Sequence, residues 1–295
     1  MGASPRYWEL ALTVSDETTE GLTNFLWEAG ALGVVEEKRP GGAPALRAFF
    51  PETTVPATLT ERVAAYVDGL RALGFAPVGR PRVTGLEDTG WADAWRAHFR
   101  PRPIGTRFVV APPWDLPAAT DGRVVLVIEP GRAFGTGHHG STAGCLQAIE
   151  RLAHPSPPAH ALDLGTGSGI LAVALARLGV RRVLAVDDDP DAVAAASGNA
   201  ERNGVATRVE CRAADAATLE TAAVPVVVAN IITAAHRRLA ARYARYVSPG
   251  GALVLGGILD AEAPDVRSAL EACGWRARNA IACEGWTTLV FERPA

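Results

Sequence analysis

Lysine is almost absent from this 295-residue chain: Lys38 is the only one among 29 basic residues. With so much alanine alongside, the arginine bias reads as genome composition and carries no functional content. Net charge is small, at −3, so the chain lacks the field needed to hold nucleic acid or a membrane surface nonspecifically. Arginine clusters at Arg96-Arg100-Arg102 and Arg237-Arg238-Arg242-Arg245 read as solvated helix faces. The four cysteines (Cys145, Cys211, Cys273, Cys283) include no Cys-x-x-Cys pair. That argues against a disulfide framework or a zinc site and fits reduced thiols. No apolar run approaches the roughly 20 residues that span a bilayer. Arg6 to Leu10 alternates like a strand and has no signal-peptide core. These absences predict a soluble, cytoplasmic protein that needs neither nucleic acid nor membrane.

What is present is 48% apolar residues, over a length sufficient for two domains and a full α/β core. Residues 1–85 predict a small α+β domain in the order β-α-β-β-α-β, the ferredoxin-like arrangement. Its strands fall at Tyr7–Val14, Leu32–Glu37, Leu46–Phe50 and Arg82–Leu86, and its helices at Ser15–Ala29 and Ala57–Leu73, each ended by glycine. It carries no catalytic constellation, which points to recognition as its role; the alternative is that it only stabilises or dimerises the protein. Residues 86–103 form a linker helix with Trp91 and Trp95, closed by Pro101-Arg102-Pro103. From 104 to 295, strands and helices alternate, which predicts a doubly wound, mostly parallel sheet. Two last strands, Ala277–Cys283 and Trp286–Glu292, predict an antiparallel hairpin at its edge.

The densest chemistry lies at Leu162-Asp163-Leu164-Gly165-Thr166-Gly167-Ser168-Gly169, followed by Val186-Asp187. An apolar strand enters a glycine turn, a small-residue helix leaves it, and the next strand ends on an acid. Such a unit holds a nucleoside: Gly165 and Gly167 let backbone approach the ligand, and Asp187 accepts hydrogen bonds from ribose hydroxyls. A dinucleotide fingerprint would need its third glycine at Ile170. The tighter spacing suits a singly charged nucleoside such as S-adenosylmethionine better than NAD.

Two further segments point at the same crevice. The loop Glu129-Pro130-Gly131-Arg132-Ala133-Phe134-Gly135-Thr136-Gly137-His138-His139 fails the Walker A pattern. It reads as an active-site flap, with Phe134 and Thr136 on its substrate side. Adjacent histidines diverge and lack a third ligand at useful spacing, so no metal is expected. Asn230 ends the apolar strand Val224–Ala229, where parallel strands open a ligand crevice. It serves either as a cap for the following helix or as an acceptor for a substrate amine. Asp215 is a weaker candidate for the adenine amino group.

These residues together resemble the PrmA family, bacterial methyltransferases of the eleventh protein of the large ribosomal subunit. The resemblance spans nearly the whole chain. It is carried by Glu-Pro-Gly-x-Ala-Phe-Gly-Thr-Gly at 129–137, Asp-Leu-Gly-Thr-Gly-Ser-Gly-Ile-Leu at 163–171 and Asp-x-Asp-Pro at 187–190. Asn-Ala-Glu-Arg-Asn-Gly at 199–204, Val-Val-Ala-Asn-Ile-Ile at 227–232 and Gly-Gly-Ile-Leu at 256–259 complete it. Other amino-methylating enzymes carry Asn-Pro-Pro-Tyr or Asp-Pro-Pro-Tyr where this chain has Asn230-Ile231-Ile232-Thr233. The chain departs from the family at 138–142, reading His-His-Gly-Ser-Thr for Thr-His-Pro-Thr-Thr, with Thr142 retained.

The resemblance implies a class I methyltransferase fold with S-adenosylmethionine held by Thr142, Gly165, Asp187 and Asn230. It also implies transfer to lysine and N-terminal amines of that ribosomal protein. The first domain would grip the substrate, and the linker would let the catalytic domain reorient. Asn230 is the catalytic candidate. Alternatives are the same chemistry on another protein or small-molecule amine, and a noncatalytic nucleoside-binding regulator.

Overall fold

A computed structural model of the chain describes residues 7–31, 33–37, 44–75, 79–86, 99–130, 139–153 and 156–295. The expected linker helix with its two tryptophans and the flap residues Phe134 and Thr136 lie outside them. The chain divides into two compact units, residues 1–99 and 100–295.

In the first unit β1 (Tyr7–Thr13), α1 (Asp16–Glu28), β2 (Gly33–Glu37), β3 (Ala45–Phe50), α2 (Pro56–Ala72) and β4 (Arg82–Leu86) follow one another. The strands form an antiparallel sheet ordered β2-β3-β1-β4. Alternation puts Leu10, Leu12, Leu46, Ala48 and Phe50 on one face. Leu22 and Leu26 of α1 and Leu59, Val63 and Val67 of α2 join them in a single core. Arg47 donates to Glu9 on β1 (2.9 and 2.7 Å) and to Glu37 on β2 (3.1 Å), tying three strands together.

The second unit opens with a three-stranded sheet, β5 (Arg102–Ile104), β6 (Phe108–Ala111) and β7 (Val124–Val127). Arg102 and Pro103, expected in the linker, are therefore strand residues paired with Val110 and Val109. β5 is an edge, the one strand position where a proline costs no ladder bond.

The main sheet has seven strands: β8 (His160–Leu164), β9 (Arg182–Asp187), β10 (Val209–Ala213), β11 (Val224–Asn230), β12 (Val247–Leu259), β13 (Arg276–Cys283) and β14 (Trp286–Glu292). Their order is β10-β9-β8-β11-β12-β14-β13. β8 to β12 run parallel, and β14 lies antiparallel to both its neighbours. A parallel sheet is covered on both faces, which is why its strands are apolar throughout. On one face Ala161, Val183, Val228 and Val254 pack against α3 (Gly140–Leu152) and α4 (Ile170–Arg177), with α5 (Pro190–Arg202) contributing Ala200. On the other, Leu162, Leu164, Val227 and Leu255 meet α6 (Thr233–Leu239), α7 (Tyr243–Tyr246) and α8 (Ala263–Ala272). The sequence predicts one helix over 234–246. The chain instead breaks at 240–242, where Arg242 N bonds Leu239 O in a tighter turn. The break lets the Tyr243 hydroxyl meet His236 and the Tyr246 hydroxyl reach Ala216 O (2.7 Å).

Candidate active site

β8 sits between β9 and β11, so successive crossovers leave it in opposite directions. Ligands of open α/β sheets bind in the crevice at that switch point, outside the carboxyl ends of the strands. The carboxyl ends of β8, β9 and β11 carry the glycine turn, Asp187 and Asn230.

The turn backbone is left-handed at Gly165 (φ 67°), Gly167 (φ 54°) and Gly169 (φ 80°), a conformation open to glycine without strain. Space demands two of them as well. A Cβ on Gly165 would run into the Ile231 side chain, and one on Gly169 would lie 2.9 Å from Ala196. The turn is thus interlocked with the Asn-Ile-Ile loop and with α5, besides being open to a ligand. Gly167 N–H donates to Asp187 Oδ2 (2.9 Å) and Asp189 N–H to Asp187 Oδ1 (3.1 Å). These bonds fix the half-buried carboxylate, which has lone pairs left to accept from a ribose. Burial, then the neighbouring Asp188 and Asp189, raise its proton affinity against those two bonds. Gly165, Asp187, Asp215, Ile231 and Arg238 line one cleft. Asp215 is exposed, and its Oδ1 accepts from Ala217 N–H (2.7 Å), so it holds its own loop while bordering the cleft.

Asn230 and Thr142, 88 positions apart, come together: Asn230 Nδ2 donates to Thr142 Oγ1 at 3.3 Å. The carboxamide oxygen Oδ1 is buried with no hydrogen-bond partner among the described residues. A buried acceptor without a donor is costly. Asn230 does not cap α6: Ile232 holds that position and no side chain bonds there. The capping role considered from sequence is therefore excluded.

Sequence reasoning passed over Asp163. It is fully buried; Thr166 Oγ1 (2.7 Å) and Ala172 N–H (3.1 Å) donate to its Oδ2, while Oδ1 has no partner among the described residues. Burial pushes its pKa up to about 7, against the pull of those two bonds. The available signal was an acid inside an apolar strand. Asn199 and Asn203 were legible only as motif letters. Asn199 on α5 and Asn203 at its C-cap both face inward: Asn199 accepts from Glu129 N–H (3.0 Å) and donates to Ser168 O (2.8 Å). Asn203 accepts from Val127 N–H (2.9 Å) and donates to Val127 O (2.7 Å). Glu129 and the glycine turn thus share a single side chain.

His139 Nδ1 lies 2.8 Å from Ser141 Oγ, and its ring sits edge-on to Trp286. Among the described residues, no three His, Cys, Asp or Glu side chains are placed to hold a metal ion, and no helix is long and apolar enough to cross a membrane.

A sheet in this order, with a glycine turn on its first strand and an acid ending its second, defines a class I methyltransferase. Comparison with known proteins narrows this. The model of the family described as "Ribosomal protein L11 methyltransferase (PrmA)" matches residues 6–294. A protein of that name from Trichlorobacter lovleyi is 34% identical over 300 residues, spanning 97% of this chain and 98% of the relative. One from Geobacter sulfurreducens is 39% identical, spanning 84% and 81%. The crystal structure of ribosomal protein L11 methylase from Lactobacillus delbrueckii subsp. bulgaricus superposes with TM-score 0.60 at 27% identity, covering 65% of this chain and 98% of that one. The chain belongs to the PrmA family. It is an S-adenosylmethionine-dependent methyltransferase. The acceptor at Asp187, bordering the cleft, suits that cofactor, which presents ribose hydroxyls as donors.

Proposed function

We propose that this enzyme methylates lysine side chains and the terminal amine of ribosomal protein L11. In this reading residues 1–85 are a ferredoxin-like recognition domain and residues 104–295 hold the chemistry. The names of the relatives support the target. The observation that carries the site is Asn230 at the strand switch point, its Nδ2 donating to Thr142 and its carboxamide oxygen buried without a partner among the described residues.

When bound, S-adenosylmethionine supplies an electrophilic sulfonium methyl. Asp187 accepts the ribose hydroxyls, and the Gly165–Gly167 backbone permits close approach. Thr142 orients Asn230 through its Nδ2, leaving Oδ1 to accept an N–H from the incoming amine and to aim its lone pair. A free lysine amine has a pKa of about 10.4. Desolvation in the crevice disfavours the ammonium and helps present a neutral nucleophile. Rate enhancement comes mainly from positioning. From sequence alone, Phe134 and Thr136 of the loop at 129–139 are assigned to substrate contact.

Asn230→Ala removes the acceptor while sparing the fold. Its kcat for methyl transfer to purified L11 falls roughly a hundredfold, the scale of losing one oriented hydrogen bond at a reacting centre. Wild-type turnover in this variant would remove Asn230 from the mechanism.

A further inference from the structure

The floor beneath Asn230 is built by a residue outside the motifs that carry the resemblance. His236, on α6, is completely buried. Its Nε2 lies 2.7 Å from Gly256 O and its Nδ1 2.8 Å from Tyr243 Oη. A backbone carbonyl only accepts, so Nε2 carries the proton and donates. Nδ1 is then the acceptor for the Tyr243 hydroxyl. Burial, opposed by bonds to the Gly256 and Ile231 backbone, holds the ring in this neutral form.

Gly256 is the residue opposite Asn230 in the β11–β12 ladder. It has no room to spare: a Cβ there would lie 2.8 Å from Asn230 Oδ1 and collide with Cys145 Sγ. The next residue, Gly257, is left-handed (φ 74°), and a Cβ on it would strike Ile231 O. Gly256 thus fits between α3 and the Asn230 carboxamide, and its carbonyl is gripped from the far side by His236. A shift of this strand end moves directly into the Asn230 oxygen.

We propose that His236 is a positioning residue for catalysis, holding Asn230 in place through the Gly256 carbonyl with Tyr243 as its own anchor. This rests on the reading of Asn230 as the amine acceptor. The break at 240–242 is part of the device, since it brings Tyr243 onto His236.

The test is steady-state methyl transfer to purified L11 by the full-length enzyme, with melting temperature measured in parallel. His236→Leu lowers kcat roughly ten- to hundredfold, the range expected for misplacing a positioned group, with KM for L11 little changed. His236→Gln, whose amide still donates to Gly256, recovers most of that loss, and Tyr243→Phe falls between them. The Asn230→Ala/His236→Leu double variant is no slower than Asn230→Ala alone, because both act through one group.

Wild-type kcat in His236→Leu, or losses that add independently to Asn230→Ala, would overturn the proposal. If His236→Leu does not fold, His236→Gln and Tyr243→Phe decide it: equal, unimpaired kcat in Tyr243→Phe overturns it, and a graded loss supports it. Full turnover in Asn230→Ala alone would instead strike down the parent reading, a result distinguishable from failure at His236.

Discussion

Two buried ionisable side chains, Asp163 and His236, have opposed shifts in proton affinity, and each makes a separable prediction. Asp163 holds its proton up to about pH 7 in the fold, well above an ordinary aspartate. Its raised pKa means that the folded state binds the extra proton. Stability from this group is full below pH 4 and is lost as pH rises through 7. His236 is pushed down to about 4 by burial. There the unfolded state takes the proton first, so stability is full above about pH 6.5 and is lost as pH falls toward 4. Each slope reaches about 1.4 kcal/mol per pH unit, and the two partly cancel in the native chain. Denaturant melts from pH 4 to 8 should therefore steepen in opposite senses for the two variants. Asp163→Asn loses the decline toward pH 7, and His236→Gln loses the decline toward pH 4. Parallel pH profiles for native protein and both variants would refute this assignment.

Among the elements, most of the catalytic unit was readable because parallel strands buried on both faces are apolar runs. Helix α5 was expected over 190–202, and there it is. Its start follows from Asp189 accepting from Asp191 N–H (2.9 Å) and from proline in the first turn. The glycine turn and Asp187 were also expected where they stand. What sequence could not show was set by distant partners. The 234–246 helix pattern is sound locally, but His236, Tyr243 and Tyr246 each find partners that a straight helix does not deliver. β12 was expected over 252–255; it runs from Val247 to Leu259, with a register shift opposite Val224 and Val226. The partnership of Thr142 with Asn230 and the inward faces of Asn199 and Asn203 are likewise invisible in one dimension. Asn199→Ala tests the last of these: it strands Glu129 N–H and Ser168 O, costing about 1–3 kcal/mol for each group left buried. Melting should drop and the KM for S-adenosylmethionine should rise severalfold. An unchanged cofactor KM would separate α5 from the site.

For the whole molecule, the division at 99/100 bears on who recognises the substrate. Among the described residues, the two apolar cores of the second unit are built from Ile104 onward. Deleting 1–99 should leave cofactor affinity by calorimetry nearly unchanged and reduce L11 turnover about a hundredfold or more, the scale on which lost remote binding energy appears in rate. Undiminished L11 turnover would assign recognition to the catalytic unit. The central claim, amine methylation of L11, is tested most directly by mass spectrometry of purified L11 after incubation with this enzyme and S-adenosylmethionine. The account predicts mass gains in steps of one methyl replacing one hydrogen, mapped to lysine side chains and the terminal amine, and absent with Asn230→Ala. Unmodified L11 in the presence of an enzyme that binds the cofactor would contradict it.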